Sequence, residues 1–166
     1  MALFNNPKPV QWAIAVFVLI LVASFAAKCR ADELRYVQVS GGSTVVRGPA
    51  PVLDLTLVVP APVAKGASFE GGVTIIGSST FRGVAADNDF ALFGRLVDGF
   101  GRFDIGLGAA YLKNGAPYIT HLNFNLYMGY RFRALPVTLA YQHFSDAGTK
   151  MPNWGRDMVL LGWRFQ

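Results

Sequence analysis

Residues 122–132 read Leu-Asn-Phe-Asn-Leu-Tyr-Met-Gly-Tyr-Arg-Phe, with an apolar side chain at every second position and a smaller or more polar one between. Successive side chains of a β-strand point to opposite faces, so one face of this stretch suits lipid and the other a small polar interior. Its length, about ten residues, is that of a tilted strand crossing a bilayer. The stretch therefore predicts a transmembrane β-strand.

The same alternation recurs along the chain. It is clear in 103–111 and in the C-terminal strand that ends at Phe165, and weaker at 34–47, 50–60, 67–79, 88–97 and 136–146. These segments bring the total to eight, which is the smallest common transmembrane barrel. We therefore predict an all-β fold, an eight-stranded antiparallel transmembrane β-barrel.

Soluble β-sandwiches and lipocalin-like barrels also alternate, but they need a polar exterior. Here the polar face carries too few polar groups to be the whole surface of a soluble protein. The ending Trp163-Arg164-Phe165 resembles the C-terminal signature of outer-membrane proteins, although Gln166 follows the aromatic that usually ends it. A pore is disfavoured, because side chains fill the interior of an eight-stranded barrel.

Charged and polar residues fall opposite the apolar faces of the predicted strands. A charge inside a narrow barrel is costly unless it is paired. We expect these residues to form a paired ionic network in the interior, and they are Asp54, Glu70, Arg95, Asp104, Arg131, Gln142 and Arg164.

The first 31 residues read as a signal peptide. Lys8 precedes an apolar run over 12–27, which is shorter than a typical spanning helix, and the expected cleavage follows Ala31. The alternative is an uncleaved membrane anchor. Cleavage would leave one barrel domain, 32–166. It would also remove Lys8, Lys28 and Arg30 without any acid, so the formal charge of +5 would fall by three to +2. Such a small charge gives little support to nucleic-acid binding.

A possible catalytic pair lies in the 136–146 segment. His143 and Ser145 stand two residues apart, so on a strand they share the apolar, lipid-facing side with Leu139 and Tyr141. Serine becomes a good nucleophile when a base takes its proton, and histidine is the usual base near neutral pH. Cβ atoms at this spacing are ~7 Å apart, within reach of an imidazole. A site on this face suggests a membrane lipid as substrate.

A third group should orient the imidazole, and Asp157 is the candidate. It lies at the start of the last strand with the same outward parity as Val159. A carboxylate on the lipid side is costly unless it lies at the interface and has a partner. The alternative is that Asp157 caps a turn and that His143 and Ser145 are interfacial polar residues without a catalytic role.

Residues 138–165 resemble the outer-membrane lipid A 3-O-deacylases, also known as acyloxyacyl-hydrolase-like proteins. The family pattern is His-x-Ser-Asn-Ala-Gly, then Pro-Asn-x-Gly, then an acid near the last strand. This chain has His143-Phe144-Ser145-Asp146-Ala147-Gly148, then Pro152-Asn153-Trp154-Gly155, then Asp157. Elsewhere the resemblance is one of size and barrel architecture.

The resemblance implies a serine esterase of the bacterial outer membrane that removes the 3-O-linked acyl chain of lipid A and releases a fatty acid. Ser145 would be the nucleophile, His143 the base and Asp157 the orienting acid. The residues around the oxyanion and substrate would be Asn153, Asp146, Ala147 and Gly148. No metal or cofactor is implied, and the partners are lipopolysaccharide and the outer membrane.

Two positions depart from the family pattern. Asp146 replaces an asparagine, and Asp157 stands where the best-known member has glutamate. A carboxylate at 146 cannot donate to an oxyanion, and Asp157 has a shorter reach. The competing hypothesis is therefore a non-catalytic small barrel with a structural or lipid-contact role. The sequence leaves open which acyl chain is cut and whether the protein forms a homodimer.

Overall fold

The computed structural model describes residues 34–46, 48–61, 66–114, 119–146 and 155–165, apart from the Phe81 side chain. The predicted signal peptide, 1–31, lies outside these ranges. Within them, no helix is long and apolar enough to cross a membrane.

The described part of the chain contains ten strands. They are β1 (Tyr36–Thr44), β2 (Pro51–Pro60), β3 (Ser68–Ile76), β4 (Ser79–Phe81), β5 (Val84–Ala86), β6 (Asp89–Phe100), β7 (Phe103–Leu112), β8 (Leu122–Arg131), β9 (Val137–Ser145) and β10 (Arg156–Phe165).

Eight of the strands close into a barrel in the order β1-β10-β9-β8-β7-β6-β3-β2, with every neighbouring pair antiparallel. The barrel closes where the first strand meets the last, from the pair Val37 and Phe165 to the pair Thr44 and Met158. Closure leaves no unpaired sheet edge, which the absence of water in a bilayer requires. The predicted eight-stranded antiparallel barrel is confirmed.

Strands β4 and β5 form a separate hairpin in the connection between β3 and β6. Its turn is Arg82-Gly83, with φ of 50° and 76°. Positive φ at both central residues is typical of the two-residue turns that match strand twist. Three-residue strands are too short to produce a readable alternation, so the sequence predicted no hairpin here. Strand β6 also runs to Phe100, three residues beyond the predicted end at 97.

Connections at the two ends of the barrel differ in length. Strands β6 and β7 are joined by 101–102, and β8 and β9 by 132–136, at the end where β1 begins and β10 ends. The third connection at this end, 61–67, has seven residues. At the other end 45–50 has six residues, but 77–88, 113–121 and 146–155 are each longer than any connection at the first end. Short turns face the periplasm and longer loops face outward in bacterial barrels. The end of β9 and the start of β10 flank 146–155 and therefore lie on the outer side of the membrane.

The interior is narrow and filled by side chains, with a buried ion pair near its centre. The Arg95 guanidinium lies 2.7 Å from Glu70 Oε2 and 3.6 Å from the centroid of the Tyr127 ring. Asp54 accepts hydrogen bonds from the hydroxyls of Thr56 at 2.6 Å and Thr74 at 2.7 Å. The expected charge pairing is thus present for Arg95 with Glu70 and, at 3.0 Å, for Arg131 with Asp104. Hydroxyl groups hydrogen-bond the Asp54 carboxylate instead.

Candidate active site

His143 and Asp157 are direct neighbours across β9 and β10. The His143 Nδ1 atom lies 2.9 Å from Asp157 Oδ1, and the two side chains are 28% and 13% exposed. A carboxylate oxygen accepts hydrogen bonds, so this contact requires the proton on Nδ1. The other nitrogen, Nε2, then carries the lone pair that a general base needs.

Tyr141 is a second donor to the same carboxylate. Its hydroxyl donates to Asp157 Oδ1, the oxygen that His143 also contacts. Tyr141 lies two residues before His143 on β9, and its partner across the sheet is Val159. Asp157 is therefore fixed by two side chains of the neighbouring strand. A carboxylate near lipid is tolerated where it is partnered in this way.

Gly155 lies against the imidazole, immediately before β10. Its φ is +64°, and a Cβ built on it would lie 2.6 Å from His143 Cε1 and 3.0 Å from the Phe144 carbonyl oxygen. Real Cβ atoms essentially never approach other heavy atoms so closely. The backbone conformation therefore favours glycine, and a side chain at this position would have to displace the imidazole.

Ser145 ends β9 on the same outward parity as His143, and its cross-strand partner on β8 is Phe124. Both side chains are partly exposed, whereas Phe144 between them is buried. The spacing matches the i, i+2 arrangement predicted from the sequence.

Asp146 faces the interior instead. Its side chain is fully buried, and Oδ2 accepts a hydrogen bond from the Thr120 backbone N–H at 3.2 Å. The carboxylate therefore contacts the connection between β7 and β8. Of the other predicted oxyanion and substrate residues, Asn153, Ala147 and Gly148 lie outside the described residues.

An apolar groove of about 380 Å³ begins at the Tyr141–Val159 pair, two residues along the strands from His143 and Asp157 and closer to the middle of the membrane. Its wall includes outward-facing side chains of β7, β8, β9 and β10, and these are Phe103, Ile105, Met128, Tyr130, Leu139, Tyr141 and Val159. The groove thus descends from the polar group into the lipid-facing surface. Trp163, by contrast, pairs with Val137 at the periplasmic end, far from the groove's upper rim.

The closed barrel, with its apolar exterior and its polar groups at the outer interface, defines the class as an outer-membrane barrel. Comparison with protein families matches residues 78–166, which are 89 of the 166 residues, to the family described as Lipid A 3-O-deacylase (PagL). The chain belongs to this family. It is a hydrolase-family protein of the bacterial outer membrane, and the family acts on lipid A.

Neither of the other comparisons gave a match. They covered curated proteins and solved structures.

Sequence reasoning missed two neighbours of the His143–Asp157 pair. Tyr141 was predicted only as part of the apolar surface, and Gly155 only as part of a motif. Tyr141 could have been predicted as a neighbour, because Tyr141 and Asp157 are both expected on the outward face of adjacent strands, where side chains can touch.

Proposed function

We propose that the protein is a serine esterase that hydrolyses the 3-O-acyl ester of lipid A, with Ser145, His143 and Asp157 as its catalytic group. The observation that carries the proposal is the 2.9 Å contact between His143 Nδ1 and Asp157 Oδ1 on the outward face that Ser145 shares. Family membership supports the substrate.

In the proposed reaction, His143 Nε2 takes the proton of the Ser145 hydroxyl while Ser145 Oγ attacks the ester carbonyl. The bond between the carbonyl carbon and the 3-oxygen of the sugar then breaks. His143 gives its proton to this oxygen, which leaves as the free 3-hydroxyl. Water hydrolyses the acyl-serine by the same steps and releases the fatty acid. Asp157 holds the imidazole and stabilises the imidazolium. Asn153, Ala147 and Gly148 are proposed from the family resemblance to contribute around the oxyanion.

The groove suggests how the substrate is held. Lipid A presents its sugar at the outer interface and its acyl chains to the membrane. An acyl chain lying in the groove, from Tyr141 toward Phe103, would place its ester end near His143. The apolar wall would stabilise the chain by burying its surface.

Both departures from the family pattern are compatible with activity. Asp157 is one methylene shorter than glutamate, yet it pairs directly with His143 and reaches Nδ1 at hydrogen-bond distance. The Asp146 carboxylate is buried on the inner side and contacts Thr120, so we assign it a positioning role.

The test uses purified, folded protein in detergent with lipid A as substrate, and fatty acid release is measured by mass spectrometry. We expect one hydroxyacyl chain to be released per lipid A, and lipid A already lacking the 3-O chain to be inert. No release by folded protein would instead support the non-catalytic barrel.

Tyr141→Phe should lower kcat about tenfold with little change in KM. The ring that lines the groove remains, but Asp157 loses a hydrogen bond. A hydrogen bond to a charged group contributes about 1.5 kcal/mol or more, which corresponds to about a tenfold change in rate. The matched control is Tyr130→Phe, since Tyr130 also lines the groove while its hydroxyl accepts from Arg102 Nη1. Equal kcat for both variants and wild type would refute a positioning role for Tyr141.

Gly155→Ala should reduce kcat by roughly a hundredfold, because the added methyl group would displace the imidazole and small displacements are costly. Gly101→Ala controls for backbone strain. Gly101 has a similar φ of +65°, but a Cβ there meets nothing within 4 Å. A comparable loss of activity in the Gly101 variant would mean that strain, and not contact with His143, explains the effect.

Asp146→Asn should retain activity within about threefold, because the amide oxygen can accept the Thr120 N–H in place of the carboxylate. Asp146→Ala should lower both activity and the melting temperature, because it removes the carboxylate that accepts the hydrogen bond of the Thr120 N–H. Kinetics and thermal unfolding of the two variants measure the difference. Complete inactivity of Asp146→Asn would show that the negative charge itself is needed.

A further inference from the structure

A cluster of arginines lines the periplasmic mouth of the barrel, at the opposite end from the catalytic group. One hollow of about 730 Å³ and a second of about 360 Å³ share three of them. Across both hollows, the cluster comprises Arg35, Arg102, Arg131, Arg133 and Arg164. We call it the arginine mouth.

The described residues at this end also include two carboxylates, Asp98 and Asp104, which are fewer than the five arginines. Arg131 Nε lies 3.0 Å from Asp104 Oδ2, and this is the ion pair that the cluster makes there. Arg102 donates to the neutral Tyr130 hydroxyl at 3.0 Å, and the Arg164 guanidinium lies 5.8 Å from the Tyr36 ring centroid. A mouth with this excess of positive charge raises the local concentration of anions.

The arginine mouth lies at the depth of an aromatic belt. Large apolar side chains at this end of the barrel are strongly exposed, including Phe100 at 61% and Phe103 at 59%. The turn that lines the larger hollow also exposes Phe132 and Leu135. Aromatic girdles mark the membrane interfaces of outer-membrane barrels. Arg102 and Arg133, in the turns at this end, are therefore near the level of the lipid phosphates of the inner leaflet. Arg131 and Arg164 have the inward parity of the buried Tyr127 and Gln38 and face the mouth of the interior.

We propose that the arginine mouth binds the phosphate of an anionic glycerophospholipid headgroup in the inner leaflet. Guanidinium groups bind phosphate oxygens in bidentate fashion, and several arginines together favour a headgroup with net negative charge. The exposed Phe132 and Leu135 would contact the acyl chains of such a lipid, which favours a lipid over a soluble anion. This binding does not depend on the proposed hydrolysis.

Native mass spectrometry of the full-length folded protein with equimolar phosphatidylglycerol and phosphatidylethanolamine tests the proposal. We expect wild type to retain phosphatidylglycerol preferentially. Arg133→Gln/Arg164→Gln should weaken its retention about 25-fold, since one basic residue near an anionic lipid surface is worth about fivefold. Lys113→Gln/Arg82→Gln removes the same charge at the outer end and should leave retention unchanged. Heat-modifiable gel mobility of each variant reports that its barrel is folded, independently of hydrolysis.

Three outcomes would overturn the proposal. One is equal retention of the two lipids by wild type, and another is an equal loss in the outer-end control variant. The third is displacement of phosphatidylglycerol by millimolar inorganic phosphate, because the mouth would then be a site for free phosphate and not for a lipid headgroup.

Discussion

Ser145→Ala and His143→Ala should each reduce hydrolysis of the lipid A 3-O-acyl ester by at least about 10³-fold. The first removes the oxygen that attacks the carbonyl, and the second removes the base that activates it. Residues of such a group act as a unit, so losing either costs about as much as losing both. Initial rates of fatty acid release by purified protein measure the effect, with heat-modifiable gel mobility as the check on folding.

Two control variants separate catalysis from general damage to the outer end of the barrel. Ser78→Ala alters an exposed serine in the connection between β3 and β4. His121→Ala removes the other histidine, which stacks on Tyr111 with 5.8 Å between ring centroids. Both should retain activity near the wild-type rate. Normal activity in folded Ser145→Ala or His143→Ala would remove the proposed site.

Asp157→Asn should lower kcat on the order of 10³-fold while leaving KM nearly unchanged. The amide can occupy the same space, but it carries no charge to stabilise the imidazolium formed when His143 takes the serine proton. It can also present its NH₂ to His143 Nδ1, which would favour the wrong tautomer. Steady-state kinetics with lipid A in detergent give both constants.

The matched variant is Asp157→Glu, which keeps the charge and lengthens the side chain by one methylene. We expect its kcat within about tenfold of wild type, since the remaining difference is one of reach. Equal rates for Asp157→Asn and wild type would contradict the orienting role, and His143 would then need another partner.

Alternation predicted the barrel well because each strand buries one face in a narrow interior and presents the other to lipid. The segments around 103–111 and 122–132 became β7 and β8 with nearly the expected ends. Shorter features could not be predicted in this way. The end of β6 was missed because Asp98-Gly99-Phe100 has the composition of a turn, whereas pairing continues to Phe100 opposite Phe103.

Parity likewise predicted which residues face outward but not which of them touch. A shift of two residues between β9 and β10 would keep Asp157 on the outer face and yet move it away from His143. Register depends on long-range pairing around the whole barrel, so the His143–Asp157 contact and the Tyr141 hydrogen bond emerge only from the folded structure. The inward turn of Asp146 follows from its parity, opposite to that of Ser145.

The most direct test is mass spectrometry of lipid A from outer membranes containing the wild-type protein or Ser145→Ala at equal folded amounts. We expect wild type to remove one 3-O-linked hydroxyacyl chain and the variant to leave lipid A intact. Intact lipid A in both membranes, or the same loss in both, would contradict this expectation.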